Sequence, residues 1–331
     1  MKLKIDRKLM PLLVTILVLI VGYAFGYSQY NGMRQPQAFF NIFIDNAFLL
    51  ITSVGMTFVI LSGGIDLSVG AVIALTTVAS AHLLEMEGWS PGAVIPLMLL
   101  MGTALGAAMG SIIHFFQVQP FIVTLAGMFI ARGTCFFISL TGVTISDPFY
   151  RQVALYQIPI PIPFFEKAFI SINVMIALAV LVIAVYLAHF TRFGRTVYAI
   201  GGSEESALLM GLPVGRTKVL IYTLNGFLSA LAGIVYSIYL LSGFGLNALN
   251  LEMDAIASVV IGGTLLDGGV GYVFGTMFGV LINGLIQNLI MFNGQLLSWW
   301  TRIAIGALTL VSLGLQSAFA ATRRRRVVVE R

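Results

Sequence analysis

An aspartate stands in the midst of apolar sequence at Asp66, inside the run SGGIDLSVG at 62–70. Gly63, Gly64 and Gly70 release the backbone from helical geometry, and inside a membrane such a release is tolerable only against protein or water. A carboxylate at mid-bilayer costs about 2.5 to 3.5 kcal/mol on insertion scales, so Asp66 needs an interface or a donor. It can cap the helix that follows, or, with Gly63, Gly64 and Ser68, face a polar passage; the two roles are compatible. A second break, GGTLLDGGVG at 262–271, again sets an aspartate four residues before a glycine. Asp66-x-x-x-Gly70 and Asp267-x-x-x-Gly271 are candidates for corresponding positions in two halves.

The third constellation is polar: TRFGRTVYAIGGSEESALLMGLP at 191–213. Ser203 suits an N-cap, Glu204 and Glu205 complement the dipole of a first turn, residues 207–210 favour helix, and Gly211 suits the C′ position. A loop that merely turns between two membrane helices needs no capped helix. Leu208, Leu209 and Met210 would stand at the aqueous side unless covered, so docking into a partner groove is favoured over packing back on the chain's own helix ends.

Other chemistry is missing from the sequence. There is no G-x-x-x-x-G-K-[ST] phosphate loop, no H-E-x-x-H and no G-x-S-x-G, so the chain is not its own ATPase and carries no recognisable catalytic or metal site. His82, His114 and His189 lie in different apolar runs or at their ends. The single cysteine, Cys135, excludes a disulfide framework and reads as a buried packing thiol.

These motifs must be positioned by membrane helices. Hydrophobic residues make up 59% of the chain and charged residues 9%, with a mean hydropathy of +0.99. Soluble chains carry about 25% charged residues, so lipid is the solvent. A helix crossing a core of about 30 Å needs about 20 apolar residues. Ten runs qualify as candidates: 9–27, 39–61, 69–84, 93–116, 120–140, 169–189, 219–241, 255–266, 272–292 and 298–321. The third and eighth are short and adjoin the glycine breaks, as discontinuous helices do. The first run exceeds a signal-peptide core and reads as a retained helix. The expected fold is an all-α integral membrane protein of about ten transmembrane helices, some discontinuous. It forms one domain over 1–331, with a cytoplasmic loop at 190–218 and a periplasmic loop at 141–168.

Basic residues orient these runs. Lys2, Lys4, Arg7, Lys8, Arg192, Arg195, Arg216, Lys218, Arg323, Arg324, Arg325, Arg326 and Arg331 fall on one side, against Arg34, Arg151 and Lys167 on the other. The positive-inside bias therefore predicts both termini in the cytoplasm. The basic pI near 9.4 reports this topology, and no continuous basic face suggests nucleic acid. Gly102, Gly106 and Gly110, and Gly271, Gly275 and Gly279, recur every fourth residue and read as close-packing faces. Asn225, Asn283, Gln287 and Asn288 could bind a hydroxyl or tie helices together. Trp299 and Trp300 suit an interfacial belt, and Arg323 to Arg326 an anchor at anionic lipid.

Four motifs carry a family resemblance: GGIDLSVG at 63–70, PFIVTLAGM at 120–128, the loop 191–212, and DAIASVVIGG at 254–263. Together they resemble the ribose-type ABC monosaccharide permeases over nearly the whole chain. The stretches 46–70 and 252–266 and the run SWWTRIAIG at 298–306 are most similar to a permease of bacterial galactofuranose importers. The resemblance implies a multi-pass inner-membrane subunit that translocates a monosaccharide from periplasm to cytoplasm, paired with a second, non-identical permease. It also implies a periplasmic sugar-binding protein and a cytoplasmic ATPase with two nucleotide-binding domains, which holds the ATP and Mg; this chain binds no cofactor itself. On that reading the ATPase-coupling residues are Arg192, Gly194, Arg195, Gly201, Gly202, Ser203, Glu204, Glu205, Ala207 and Gly211. The substrate pathway runs by Gly63, Gly64, Asp66, Ser68, Phe121, Thr124, Asn283 and Gln287. An ion-driven carrier using Asp45, Asp66 and Asp267 is the alternative from another class.

Overall fold

The computed structural model describes residues 10–160, 168–297 and 299–329, with side chains over 12–160, 168–297 and 299–314. Lys2, Lys4, Arg7, Lys8, Lys167, Ser298 and Arg331, used above for topology or resemblance, lie outside the described residues, and nothing is described of the Arg323 to Arg326 side chains. Fourteen α-helices are present among the described residues, beginning with α1 (Met10–Gln29), α2 (Pro36–Asp45), α3 (Ala47–Leu61), α4 (Val69–Glu85), α5 (Pro91–Phe115), α6 (Pro120–Ile138) and α7 (Pro148–Leu155). They continue with α8 (Ile172–Phe190), α9 (Arg192–Gly202), α10 (Glu204–Leu209), α11 (Val214–Leu240), α12 (Leu251–Ile261), α13 (Val273–Asn293) and α14 (Trp299–Val329). Four strand fragments form two small antiparallel pairs, β1 (Val143–Thr144) with β4 (Ser242–Gly243) and β2 (Gln157–Pro159) with β3 (Phe169–Ser171).

Among the described residues, α1, α5, α6, α8, α11 and α13 are long and apolar enough to cross a membrane, and α2 with α3 makes a seventh if the bent pair counts as one. The run 39–61 was expected to be continuous; it bends by 53° at Asn46. There the Asn46 side chain donates to the Ile42 carbonyl at 2.9 Å, the local bonding by which asparagine competes with a helix. The two short runs are short helices, α4 with 17 residues and α12 with 11, and each ends or begins at a glycine break. Nearly every residue of α3 and α4 is buried, because they lie inside a ring of the other helices; their all-round hydrophobicity is the mark of that position.

Glycine sets how closely the helices meet. A methyl group on Gly106 would strike the Tyr222 carbonyl, and one on Gly102 would lie 2.5 Å from the Gly226 carbonyl, so α5 and α11 touch backbone to backbone. Gly275 and Gly279 do the same for α13 against Gly262 and Ser258. Cys135 is buried and its thiol donates to the Ala131 carbonyl at 3.2 Å.

The contacts between loops gather at two ends of the helices. At one end of the helices, Ile145 N–H donates to Leu241 O at 2.8 Å, Glu85 accepts from Ser146 and Asp147 N–H, and the Gln37 amide bonds Phe169 in both directions at 3.2 and 2.9 Å. At the other end, Gly269 N–H donates to Leu61 O at 2.9 Å and His114 packs over Gly215. Gly106→Ala is expected to lower the thermal midpoint of the detergent-solubilised protein. Gly133→Ala, with no atom within 4 Å of the new methyl, should leave it unchanged or slightly raised through helix propensity. Recovery of monodisperse protein after heating measures both, and equal losses would sink the close-approach account.

Candidate functional site

The first break closes on itself before it meets anything else. After Leu61, Gly63 N–H donates to Ile60 O at 2.9 Å and Gly64 N–H to Val59 O at 3.0 Å, with Gly63 at φ +80°. This is the left-handed helix end that glycine adopts without strain. Asp66 then turns the chain into α4: one carboxylate oxygen accepts from the Ser68 N–H at 2.8 Å and the Ser68 hydroxyl at 2.6 Å. The other accepts from the Asn225 amide of α11 at 2.8 Å. Asp66 is 1% exposed, so these three bonds are what make a buried carboxylate tolerable. It therefore turns the chain at the start of α4 and also ties the break to the central helix.

The second break repeats this closure 200 residues later. Gly263 N–H donates to Val260 O at 2.9 Å and Thr264 N–H to Val259 O at 3.2 Å, with Gly263 at φ +95°. Matching these bonds aligns Gly63 with Gly263 and Leu67 with Asp267, which shifts by one the Asp66–Asp267 equivalence suggested by the aspartate-to-glycine spacing. Asp66 and Asp267 thus hold different places: the first is bonded three times, the second sits in a turn between Leu265 and Val270, whose N–H and carbonyl are joined at 2.9 Å. Asp45 is elsewhere again, accepting from the Tyr239 hydroxyl at 3.0 Å. The three carboxylates of an ion-driven carrier each have separate surroundings.

Between the breaks lies the end of α9. The loop 190–218 was expected to hold one short helix; it holds α9, then α10, and α11 begins at Val214, five residues before the expected 219. Thr191 caps α9 by accepting from Gly194 N–H at 3.2 Å, and Gly194 fits under the α8 end, where a methyl would meet the Ala188 carbonyl. A methyl on Gly201 would strike Leu61 O and Gly269 N, the two partners of the bond that joins the breaks. The Tyr198 hydroxyl donates to Gly271 O at 2.8 Å; burial pushes that phenol up to about 12, so it remains a donor near neutral pH.

The helix α10 forms as its sequence dictates. The Ser203 hydroxyl accepts from Ser206 N–H at 3.2 Å, and Gly211 takes φ +73° with its N–H on Leu208 O at 2.9 Å. Ala207 is buried with Ile200 and Val214, while Leu208, Leu209 and Met210 are 56%, 85% and 66% exposed. Glu204 holds Lys218 of α11 at 2.6 Å, while Glu205, Gly202, Arg192 and Arg195 face outward. The expected coupling residues therefore form one continuous helical hairpin.

The expected pathway residues fall into two groups. Gly63, Gly64, Asp66 and Ser68 are joined by Thr124, whose hydroxyl reaches Ile65 O at 3.4 Å and Pro120 O at 2.9 Å; Phe121, beside it on α6, is half exposed. Asn283 and Gln287 lie apart on α13, bonded to each other at 3.0 Å. Gln287 also lines two adjoining cavities with Asp254 and Arg302, residues that no motif in the sequence brings together. Tyr222, whose hydroxyl lies over Gly64, and Tyr198 were missed as well; each sits among apolar helical neighbours that disguise it.

Broken helices packed among spans long and apolar enough to cross a bilayer define the class as a multi-pass membrane protein. The family described as "Branched-chain amino acid transport system / permease component" matches residues 38–313, and the chain belongs to it. An inner membrane ABC transporter permease protein of Escherichia coli, YjfF, is 49% identical over 94% of this chain and 92% of its own length. The fructose import permease FruG of Bifidobacterium longum is 40% identical, covering 96% and 94%, and the ribose import permease RbsC of Bacillus subtilis 38%, covering 85% and 84%. No solved structure matches. The protein is accordingly a multi-pass inner-membrane permease subunit, and ATP hydrolysis belongs to a separate subunit.

Asn225→Ala should strand one oxygen of Asp66. Its loss of stability and that of Asp66→Ala are expected to be non-additive by about 1 to 3 kcal/mol, the cost of an unpaired buried group. Denaturation midpoints of both single variants and the double variant measure it; simple additivity would refute the tie.

Proposed function

We propose that this chain is one of two permease subunits of an ATP-driven importer that carries a monosaccharide, galactofuranose in particular, from periplasm to cytoplasm. The sugar class is supported by the fructose and ribose import permeases among its relatives, and galactofuranose by the resemblance over 46–70, 252–266 and 298–306. In this reading ten crossings leave both termini in the cytoplasm, with α4 and α12 as the short, broken ones. The partners are a second, non-identical permease, a periplasmic sugar-binding protein and an ATPase that holds ATP and Mg.

The observation that carries the proposal is the contact of Gly201 with Leu61 and Gly269. The exposed tip Leu208, Leu209 and Met210 fits an apolar groove on the ATPase, and α9 runs from that tip to the bond joining both breaks. Movement of the hairpin is thereby delivered to Gly63–Ser68 and to Gly262–Gly271 together, without passing through flexible loop. Asp66, anchored to Asn225, carries the same movement into α11. Alternating access follows when the two breaks separate or close, with Thr124 and Phe121 flanking the first.

Leu209→Asp is expected to reduce ATP-dependent sugar uptake by the reconstituted importer at least tenfold, since an apolar anchor in a groove is worth about 1.5 to 3 kcal/mol. Thermal stability should be unchanged because the side chain is exposed, and sugar binding to the periplasmic protein should be intact. Full uptake by this variant, and by one replacing Glu204, Glu205 and Gly211, would refute the coupling assignment.

A further inference from the structure

Two cavities of about 330 and 630 Å³ adjoin where α12, α13 and α14 come together, and Asp254, Gln287 and Arg302 line both. Their combined space falls within the range of small-molecule sites, about 300 to 1,000 Å³. Asp254 is the fourth residue of α12 and Arg302 the fourth of α14; in the ten-crossing reading proposed above both helices enter the membrane, where an ionisable residue points to function. Asp254 and Arg302 make no ion pair with each other, and neither charged group has a hydrogen-bond partner among the described residues. Asn46, Tyr236 and Asn247 add polar groups to the smaller cavity, and Trp299 adds an aromatic face to the larger. The 241–250 turn, which supplies Asn247, lies at the end of the helices that also carries residues 143–145.

We propose that the junction of these cavities is a binding site for a neutral, polyhydroxylated solute within this permease, an inference that rests on the sugar-importer reading above. A carboxylate without a close hydrogen-bond partner accepts two hydroxyls, a guanidinium donates to ring or hydroxyl oxygens in a fixed fork, and an amide does both. The two charges that line the cavities are of opposite sign, so the lining itself carries no net charge. An anion gains at Arg302 what it loses at Asp254, and a cation the reverse, so neither is favoured over a sugar. The aromatic side chains take the apolar C–H face of the ring. This places sugar recognition in the permease at α12 to α14, apart from the break around Asp66.

The test uses the assembled importer in lipid vesicles with labelled ribose, fructose and galactose. Asp254→Asn and Arg302→Gln should each lower sugar carried per ATP hydrolysed about tenfold or more, the worth of a hydrogen bond to a charged group. ATP hydrolysis stimulated by loaded binding protein should persist. If uptake and hydrolysis fall together, or neither changes, the site is overturned and the importer reading stands. If the unaltered importer moves no labelled sugar with ATP, that reading falls and this inference with it. Should the variants fail to assemble, Trp299 fluorescence in a Trp89→Phe, Trp300→Phe protein decides: a saturable change with sugar supports the site, and none overturns it.

Discussion

Leu61 ends one buried helix and Gly269 lies in the turn after another, and the 2.9 Å bond from the Gly269 N–H to the Leu61 carbonyl joins two places where the chain leaves helical geometry. Away from water an unsatisfied backbone group costs several kcal/mol, and this bond satisfies one donor and one acceptor at once. Each first folds its own last carbonyls inward through a left-handed glycine, at Gly63 and Gly263, and what remains is shared between them. The surrounding helices α5, α8 and α11 can be read as the wall that keeps lipid from this junction.

Close approach is the second requirement. The α5 and α11 backbones touch at Gly102, Gly106 and Gly226, which brings Asn225 within reach of Asp66. Without side chains to hold the helices apart, van der Waals contact and the amide bond act over the same few residues. Arg132 does comparable work at the opposite end of the helices, donating to Gly245 O at 2.7 Å and Asn247 O at 2.9 Å and so fixing the turn that leads into α12. At Asp66 a buried charge and a glycine face are parts of one device: the glycines admit the neighbour and the charge fixes its register.

Because α9 ends against that junction, a surface helix and a buried pair of breaks form one mechanical unit. Tyr198 on Gly271 and Gly201 on Leu61 and Gly269 are contacts a few ångströms across, made by rigid helix and tight turn. Packed elements of this kind have discrete arrangements, which suits a two-state passage.

The sequence by itself determined the lipid solvent, the order of the apolar runs, the shortness of α4 and α12 and the caps of α10, because each depends on residues close in the chain: composition over about 20 positions, or a cap three residues from its donor. It could not supply the bend at Asn46, where an apolar run conceals a single local bond, or α9, whose glycines and charges resemble loop. Only the tertiary structure decided that Asp66 belongs to Asn225, 159 residues away, that Gly201 sits between the two breaks, and that Asp254 and Arg302 face a common space. Those outcomes depend on which helix faces meet. In a chain apolar on all sides, hydrophobic periodicity does not mark the faces, and shape at glycine does.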